Sequence, residues 1–220
     1  MDTQQTHTPS TDPFLLEVLR NAFDTIAEEI TLTIIRTAYS QIVRDSLDFS
    51  TALCDAQGRT FAQGVCTPMH LGSFLDALRN MLAEVGDDID PEDYFIMNDP
   101  YAAAGQHLPD IYVVKPIYFG GALKGWSTTL AHHSDVGGIV AGSNALGATE
   151  VWQEGFRIPV LKLIDKGVRN ETLWKLIGLN VRTPELVHGD LQAQMAALSL
   201  IHISEPTRRT PISYAVFCLK

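Results

Sequence analysis

Cysteine is scarce in this chain. Only Cys54, Cys66 and Cys218 occur in 220 residues, at spacings that fit neither a disulfide framework nor a zinc finger. No apolar run approaches the roughly 18 residues of a membrane span. The first residues, MDTQQTHTPST, lack the charged and apolar regions of a secretory signal, so a reduced cytoplasm is the simplest compartment. Basic residues are few, 16 Lys and Arg against 26 Asp and Glu, for a net charge of −10. Nucleic-acid binding needs clustered cations, so neither a nucleic acid nor a membrane surface is an expected partner. No GxxxxGK[ST] is present, so the chain shows no P-loop, and GxSxG is missing as well. Ser134 beside His133 does not replace it, because neighbours on an extended chain face apart.

What is there is 45% hydrophobic and long enough to bury a core of one or two domains. From Asp12 to about Tyr39 the pattern is helical, with Asp12 as N-cap and Pro13 at the first helical position. Phe14, Val18, Ala22, Ile26, Ile30 and Ile34 step by four along one face. DFSTALCD, AQGR and TFAQG read as a short hairpin with Asp48 leading in and Gly58 in the bend. After Thr67-Pro68, a second helix carries Leu71, Phe74, Leu75, Leu78, Leu82 and Val85, begins near His70 and stops at Gly86. YFIMN is a short strand delivering Asp99, and Pro159 to Ile164 is another. NETLWKLIGLNV and PELVHGDLQAQMAAL are helices, the second weakened by Gly189. The expected fold is mixed α/β, helices packed on a mixed or antiparallel sheet with β-hairpins, as a truncated portion of a larger fold. Residues 1–11 are expected to be disordered.

The last stretch departs from this pattern. LSLIHISEPTR and PISYAVFCL resemble conceptual translations of a transposase-type sequencing adapter and of the primer that follows it. The genuine reading frame is therefore expected to stop near Ala197, with 198–220 an artefact. Removing it takes Arg208, Arg209, Lys220 and Glu205 out of the balance and moves the net charge from −10 to −12.

The chemistry concentrates in NDPYAAAGQHLPD, IYVVKPIYF, Gly120-Gly121, ALKGWSTTLA and HHSDVGG. Two β-rich runs around Gly-Gly predict a two-residue hairpin in which paired positions sum to 241, so that residue 109 faces His132. Pro116, lacking an N–H, calls for a sheet edge or a bulge. Either way His132 falls within ligand reach of His107 and Asp110. Nitrogen and oxygen donors without a nearby thiolate suit Mn(II), Fe(II) or Zn(II) rather than a structural zinc. A His-x-x-Asp in a loop is also an ordinary hydrogen-bonded turn. His133 is expected on the opposite strand face, either near substrate or as a satisfied polar residue. Asp99, in Asn-Asp-Pro, and Asp135, before Gly137-Gly138, are turn formers as well as acid–base candidates.

RDSLDFSTALCDAQGRTFAQG, TPMHLGSF, FIMNDPY, HLPDIYVVKPIY and AHHSDVGG, in this order, resemble motifs of the hydantoinase B family, which includes β-type subunits of ATP-dependent hydantoinases and oxoprolinases and the α subunit of acetone carboxylase. The resemblance runs from about Asp12 to Leu191. It implies a divalent-metal site held by Asp48, His107, Asp110 and His132, in a subunit that completes a reaction begun by an ATP-using hydantoinase A-type partner in a hetero-oligomer. The implied reaction is hydrolysis of a small cyclic amide, such as a hydantoin, 5-oxoproline or another lactam. The partner activates the amide oxygen, and the metal draws the pKa of water toward neutrality. Asp99, His133 or Asp135 would move the proton and His70 would orient substrate. Ala103-Ala104-Gly105-Gln106 stands where the family commonly has a Gly-Gly pair and a small or hydroxyl residue, which bears on loop shape and substrate preference. The alternatives are a carboxylase resembling acetone carboxylase, with the metal stabilising an enolate that meets CO2, and an inert fragment.

Overall fold

The computed structural model describes residues 12–64, 67–70, 72–101 and 106–200. Leu71, Cys66 and the stretch 102–105 lie outside them, as do 1–11 and 201–220.

A seven-stranded, wholly antiparallel sheet organises the chain, in the order β2-β1-β5-β4-β3-β6-β7. The strands are β1 (Phe49–Asp55), β2 (Thr60–Gln63), β3 (Tyr94–Met97), β4 (Asp110–Phe119), β5 (Ala122–His132), β6 (Leu161–Asp165) and β7 (Val168–Arg169). Helices cover both faces, so side chains of alternate parity enter different cores. On one face, α3 (Ser73–Val85) lays Phe74, Ala77, Leu78 and Met81 on Ala52, Cys54, Phe95, Tyr112, Val114, Trp126 and Leu130. The other face belongs to α1 (Pro13–Thr37) and α5 (Pro184–Ser199), which bury Phe49, Leu53 and Ala131. Nearby, α4 (Glu171–Asn180) and α5 cover Ile96, Ile111, Val113 and Leu163. Phe74→Ala would open a cavity costing about 3–5 kcal/mol.

Helix α1 begins as its composition requires, with the Asp12 carboxylate accepting from Phe14 N at 2.9 Å and Pro13 at the first position. Its stripe buries only in the second half. Ile26, Ile30 and Ile34 are in the core, whereas Phe14 is 77% exposed and Val18 47%. The sheet is shorter than the helix, so periodicity alone overstates the covered face. The helix also stops at Thr37, short of the expected Tyr39, and a one-turn helix, α2 (Gln41–Arg44), follows. Both backbone N–H groups at that break, Tyr39 and Ser40, donate to the buried Asp190 carboxylate of α5 at 2.8 and 3.0 Å.

Helix α5 runs unbroken through Gly189, where a Cβ would lie 2.2 Å from the Tyr39 ring. Close packing, rather than helix propensity, accounts for the glycine. Leu198, just past the expected native boundary, is buried in the core, and α5 continues to Ser199.

The β4–β5 hairpin turns at Gly120-Gly121, both with positive φ (60° and 77°), and Phe119 faces Ala122 as expected. One step later the register slips. Tyr118 pairs with Leu123 but Ile117 pairs with Gly125, leaving Lys124 as the extra residue of a bulge. Beyond it paired positions sum to 242, so Asp110, not Pro109, faces His132. Pro116 lies past the segment of β4 paired with β3 and one residue from the bulge, where its missing N–H leaves no gap in that ladder.

Candidate metal centre

The bulge decides what meets what. With Asp110 opposite His132, and Phe49 opposite Ala131, the next position out on β1 is Asp48, whose carbonyl accepts from His132 N at 3.0 Å. Asp48, His132 and Asp110 therefore form one rung across three adjacent strands, on the face covered by α3 but beyond the end of that helix. Same-face neighbours on paired strands stand roughly 5 Å apart, close enough to share a cation.

Two further histidines join the rung. His107 sits in the turn that opens β4, where Asp110 N donates to His107 O at 3.0 Å, so the ordinary turn and the ligand pair coexist. His70 ends a 3-10 turn, Pro68–His70, just before α3. Its Nε2 lies 3.9 Å from Asp48 Oδ1 and 4.0 Å from Asp110 Oδ1. His132 Nδ1 is 3.4 Å from Asp110 Oδ1 and 3.9 Å from Asp48 Oδ2. The His107 and His132 rings are 4.9 Å apart, and one donor atom from each of His107, Asp110 and His132 fits within a 4.8 Å span.

Asp110 is fully buried, and neither of its oxygens has an aligned hydrogen bond. His107 Nδ1, though 2.6 Å from Oδ2, is unpartnered in the same sense. A buried carboxylate left this way costs several kcal/mol unless positive charge meets it. The neighbouring Asp110 carboxylate raises the His107 pKa above its ordinary value. Burial pushes Asp110 up, but contact with His107 and then His132 outweighs burial and holds it below the usual carboxylate range. Burial lowers His70, which favours a neutral imidazole with a free lone pair. The compact set of His107, Asp110 and His132 fits a hard or borderline divalent cation, with Asp48 and His70 standing 3.9 to 4.0 Å from its members.

The other predicted residues hold other contacts. His133 points to the opposite face, as alternation requires, and its Nε2 is 3.1 Å from Gln194 Oε1 of α5; burial lowers its pKa. Asp99 accepts from Arg157 Nε and Nη2 at 3.0 and 2.6 Å. Asp135 accepts from Arg182 N and Nη1 at 2.6 and 2.8 Å and from Gly137 N and Gly142 N, both at 3.3 Å. Those donors outweigh burial and depress its pKa. Arg182 also donates to Gly137, Gly138 and Val140 carbonyls, pinning the glycine loop.

Three supporting residues escaped the sequence reading. Ser50 is two positions beyond Asp48, on the same strand face, and its Oγ is 2.8 Å from His70 Nδ1 while accepting from Thr67 N at 3.1 Å. A period of two from Asp48 was the available signal. Asn98, fully buried, donates to Leu108 O and Phe156 O and accepts from Ile158 N, so it ties the His107 turn to a distant loop. Its place in Asn-Asp-Pro read only as turn chemistry. Gln194 pairs with a strand 61 residues away, which no local pattern reveals.

With this geometry in place, the comparisons with known proteins fall into line. The Hydantoinase B/oxoprolinase family model matches residues 12–203, and the chain belongs to that family. Caprolactamase subunit beta from Pseudomonas jessenii is 36% identical over 189 residues, 86% of this chain and 32% of that protein. The crystal structure of the ATP-dependent caprolactamase from the same organism superposes with a TM-score of 0.80 at 32% identity, covering 96% of this chain and 37% of that one. The nucleotide-free acetone carboxylase structure also reaches 0.80, but at 21% identity it shows a shared fold alone; 94% of this chain and 28% of that one are covered. The chain spans about a third of the length of three of its curated relatives (34%, 32% and 32%) and only 15 to 16% of several 5-oxoprolinases. Among the described residues, no helix is long and apolar enough to cross a membrane.

Proposed function

We propose that this chain is the metal-holding part of a B-type subunit of a cytoplasmic, ATP-dependent cyclic-amide hydrolase. Asp48, His107, Asp110 and His132 are its ligands, and an A-type partner in a hetero-oligomer binds ATP and activates the amide. The observation that carries this reading is the rung of Asp48, His132 and Asp110, with His107 folded over it and the Asp110 carboxylate buried at its centre between the two imidazoles.

Asp48, His107, Asp110 and His132 would hold a divalent ion such as Mn, Zn or Fe, which would supply Lewis-acid charge that lowers the pKa of water toward neutrality. The chain's own residues supply the rest. The two carboxylates set a negative charge that suits a cation, the neutral His70 faces the centre, and Asn98 and Ser50 hold the two turns that bring His107 and His70 in. We assign Asp99, Asp135 and His133 to support rather than proton transfer, since each is engaged with Arg157, Arg182 or Gln194.

A carboxylase related to acetone carboxylase has the shared fold in its favour, and the same donors would hold a cation that stabilises an enolate meeting CO2. The inert-fragment reading draws on exposed apolar side chains at the start of α1, Phe14 and Leu16 among them. The intact subunit, co-purified with its A-type partner, separates the three by metal content and by ATP use dependent on a lactam or on acetone and bicarbonate. His107→Ala and His132→Ala should each lose metal and abolish amide turnover while ATP hydrolysis by the partner remains measurable. Full metal occupancy in both variants overturns the reading.

A further inference from the structure

From the contacts of His70, we infer that it is a fifth protein donor to the cation, binding through Nε2 with its ring held by Ser50. This rests on the metal-centre reading above and adds a ligand that neither the hairpin nor the resemblance assigns. His70 is 1% exposed, and its ring lies between Ser50 and the two carboxylates. Nδ1 has a partner in Ser50 Oγ at 2.8 Å. Nε2 faces Asp48 Oδ1 and Asp110 Oδ1 at 3.9 and 4.0 Å, too far for a hydrogen bond to either.

The spacing fits a shared ion. Two donors each about 2.1 Å from one cation lie roughly 3 to 4 Å apart, and His70 Nε2 keeps that separation from an oxygen of both carboxylates at once. The Asp110 carboxylate, itself buried and without an aligned hydrogen bond, is aimed into the same space. The ring is braced in the manner usual for a metal-bound imidazole, with one nitrogen toward the ion and the other bonded to a protein oxygen.

The turn that carries His70 is fixed from three sides. Thr67 N donates to Ser50 Oγ, Ser73 Oγ donates to His70 O at 2.8 Å, and the Gln106 amide donates to Met69 O. The Gln106 contact joins the His70 turn to the loop carrying His107.

The test uses the intact subunit loaded with Co(II). Proton NMR of such a protein shows strongly shifted, exchangeable imidazole N–H signals, one for each coordinated histidine whose other nitrogen is protonated. His70→Ala should remove one of these signals and weaken metal binding by more than about 100-fold, beyond the 10- to 100-fold typical of a residue that only orients a ligand. Ser50→Ala keeps the imidazole and should shift that same signal while lowering affinity about 10-fold, so the inference stays testable if His70→Ala does not fold. An unchanged set of signals in metal-loaded His70→Ala, or in Ser50→Ala, overturns it. His107→Ala, run alongside, keeps the two ideas apart. Loss of metal there with His70→Ala unaffected would sink only the fifth ligand, whereas full metal retention in His107→Ala would sink the centre itself.

Discussion

His132 and His133 are adjacent in the chain and differ completely in what they meet. His132 joins two carboxylates and His107 on the face that α3 covers, in a setting short of positive charge. His133 enters the core beneath α5, where Gln194 bonds it and in turn donates to Ile111 O and Thr129 Oγ1, both at 3.1 Å. Strand parity produces the difference. One side chain faces the proposed cation site, and its neighbour holds a helix to the sheet.

The sharpest way to break this contrast is to remove the charge from the His132 side. Asp110→Asn should lower metal affinity by more than about 100-fold. In the metal-free protein it should destabilise the fold, because the Asp110 carboxylate stands 2.6 Å from His107 and is held below the usual carboxylate range by that contact. Metal titration and urea melts of the same samples check both signs. Unchanged metal affinity would mean that Asp110 is an ordinary structural ion pair.

The complementary change acts on the other face. His133→Leu should leave metal content intact and cost about 1–3 kcal/mol, since Gln194 Oε1 loses its buried partner. Metal loss in this variant would show that the two faces are not independent.

The smallest effect is a pH dependence. His107 is raised, so its contribution to metal-free stability is fully present below about pH 6.5 and fades as pH rises through the raised value. Asp110 is lowered, so its contribution is present above about pH 4 and fades as pH falls through the lowered value. The metal-free centre should therefore stabilise most between those limits. A cation competes with the His107 proton, so affinity should climb with pH through the raised value and then level off. His107→Ala should flatten that climb, as proton release in calorimetry would show.

Much of this was legible beforehand. Asp12-Pro13, the Gly120-Gly121 turn, the strand at YFIMN and the clustering of His107, Asp110 and His132 follow from local chemistry, because caps, turns and alternation act over a few residues. The Lys124 bulge was not legible in position, since register answers to the packing of both sheet faces as well as to the turn. The exposed first half of α1, the need for glycine at 189, and the pairing of His133 with Gln194 depend on partners far away in sequence.

By itself, the sequence determined where strands and helices fall, which residue types could hold a cation, and that they gather at one end of a hairpin. Only the tertiary structure decided that Asp110 rather than Pro109 faces His132, that Asp48 completes the rung, and that His70 arrives from a separate turn on the Ser50 hydroxyl. The physical reason is range. Backbone propensity is settled by neighbours a few bonds apart, whereas a ligand sphere is assembled from strands and turns whose relative register the packed core alone sets.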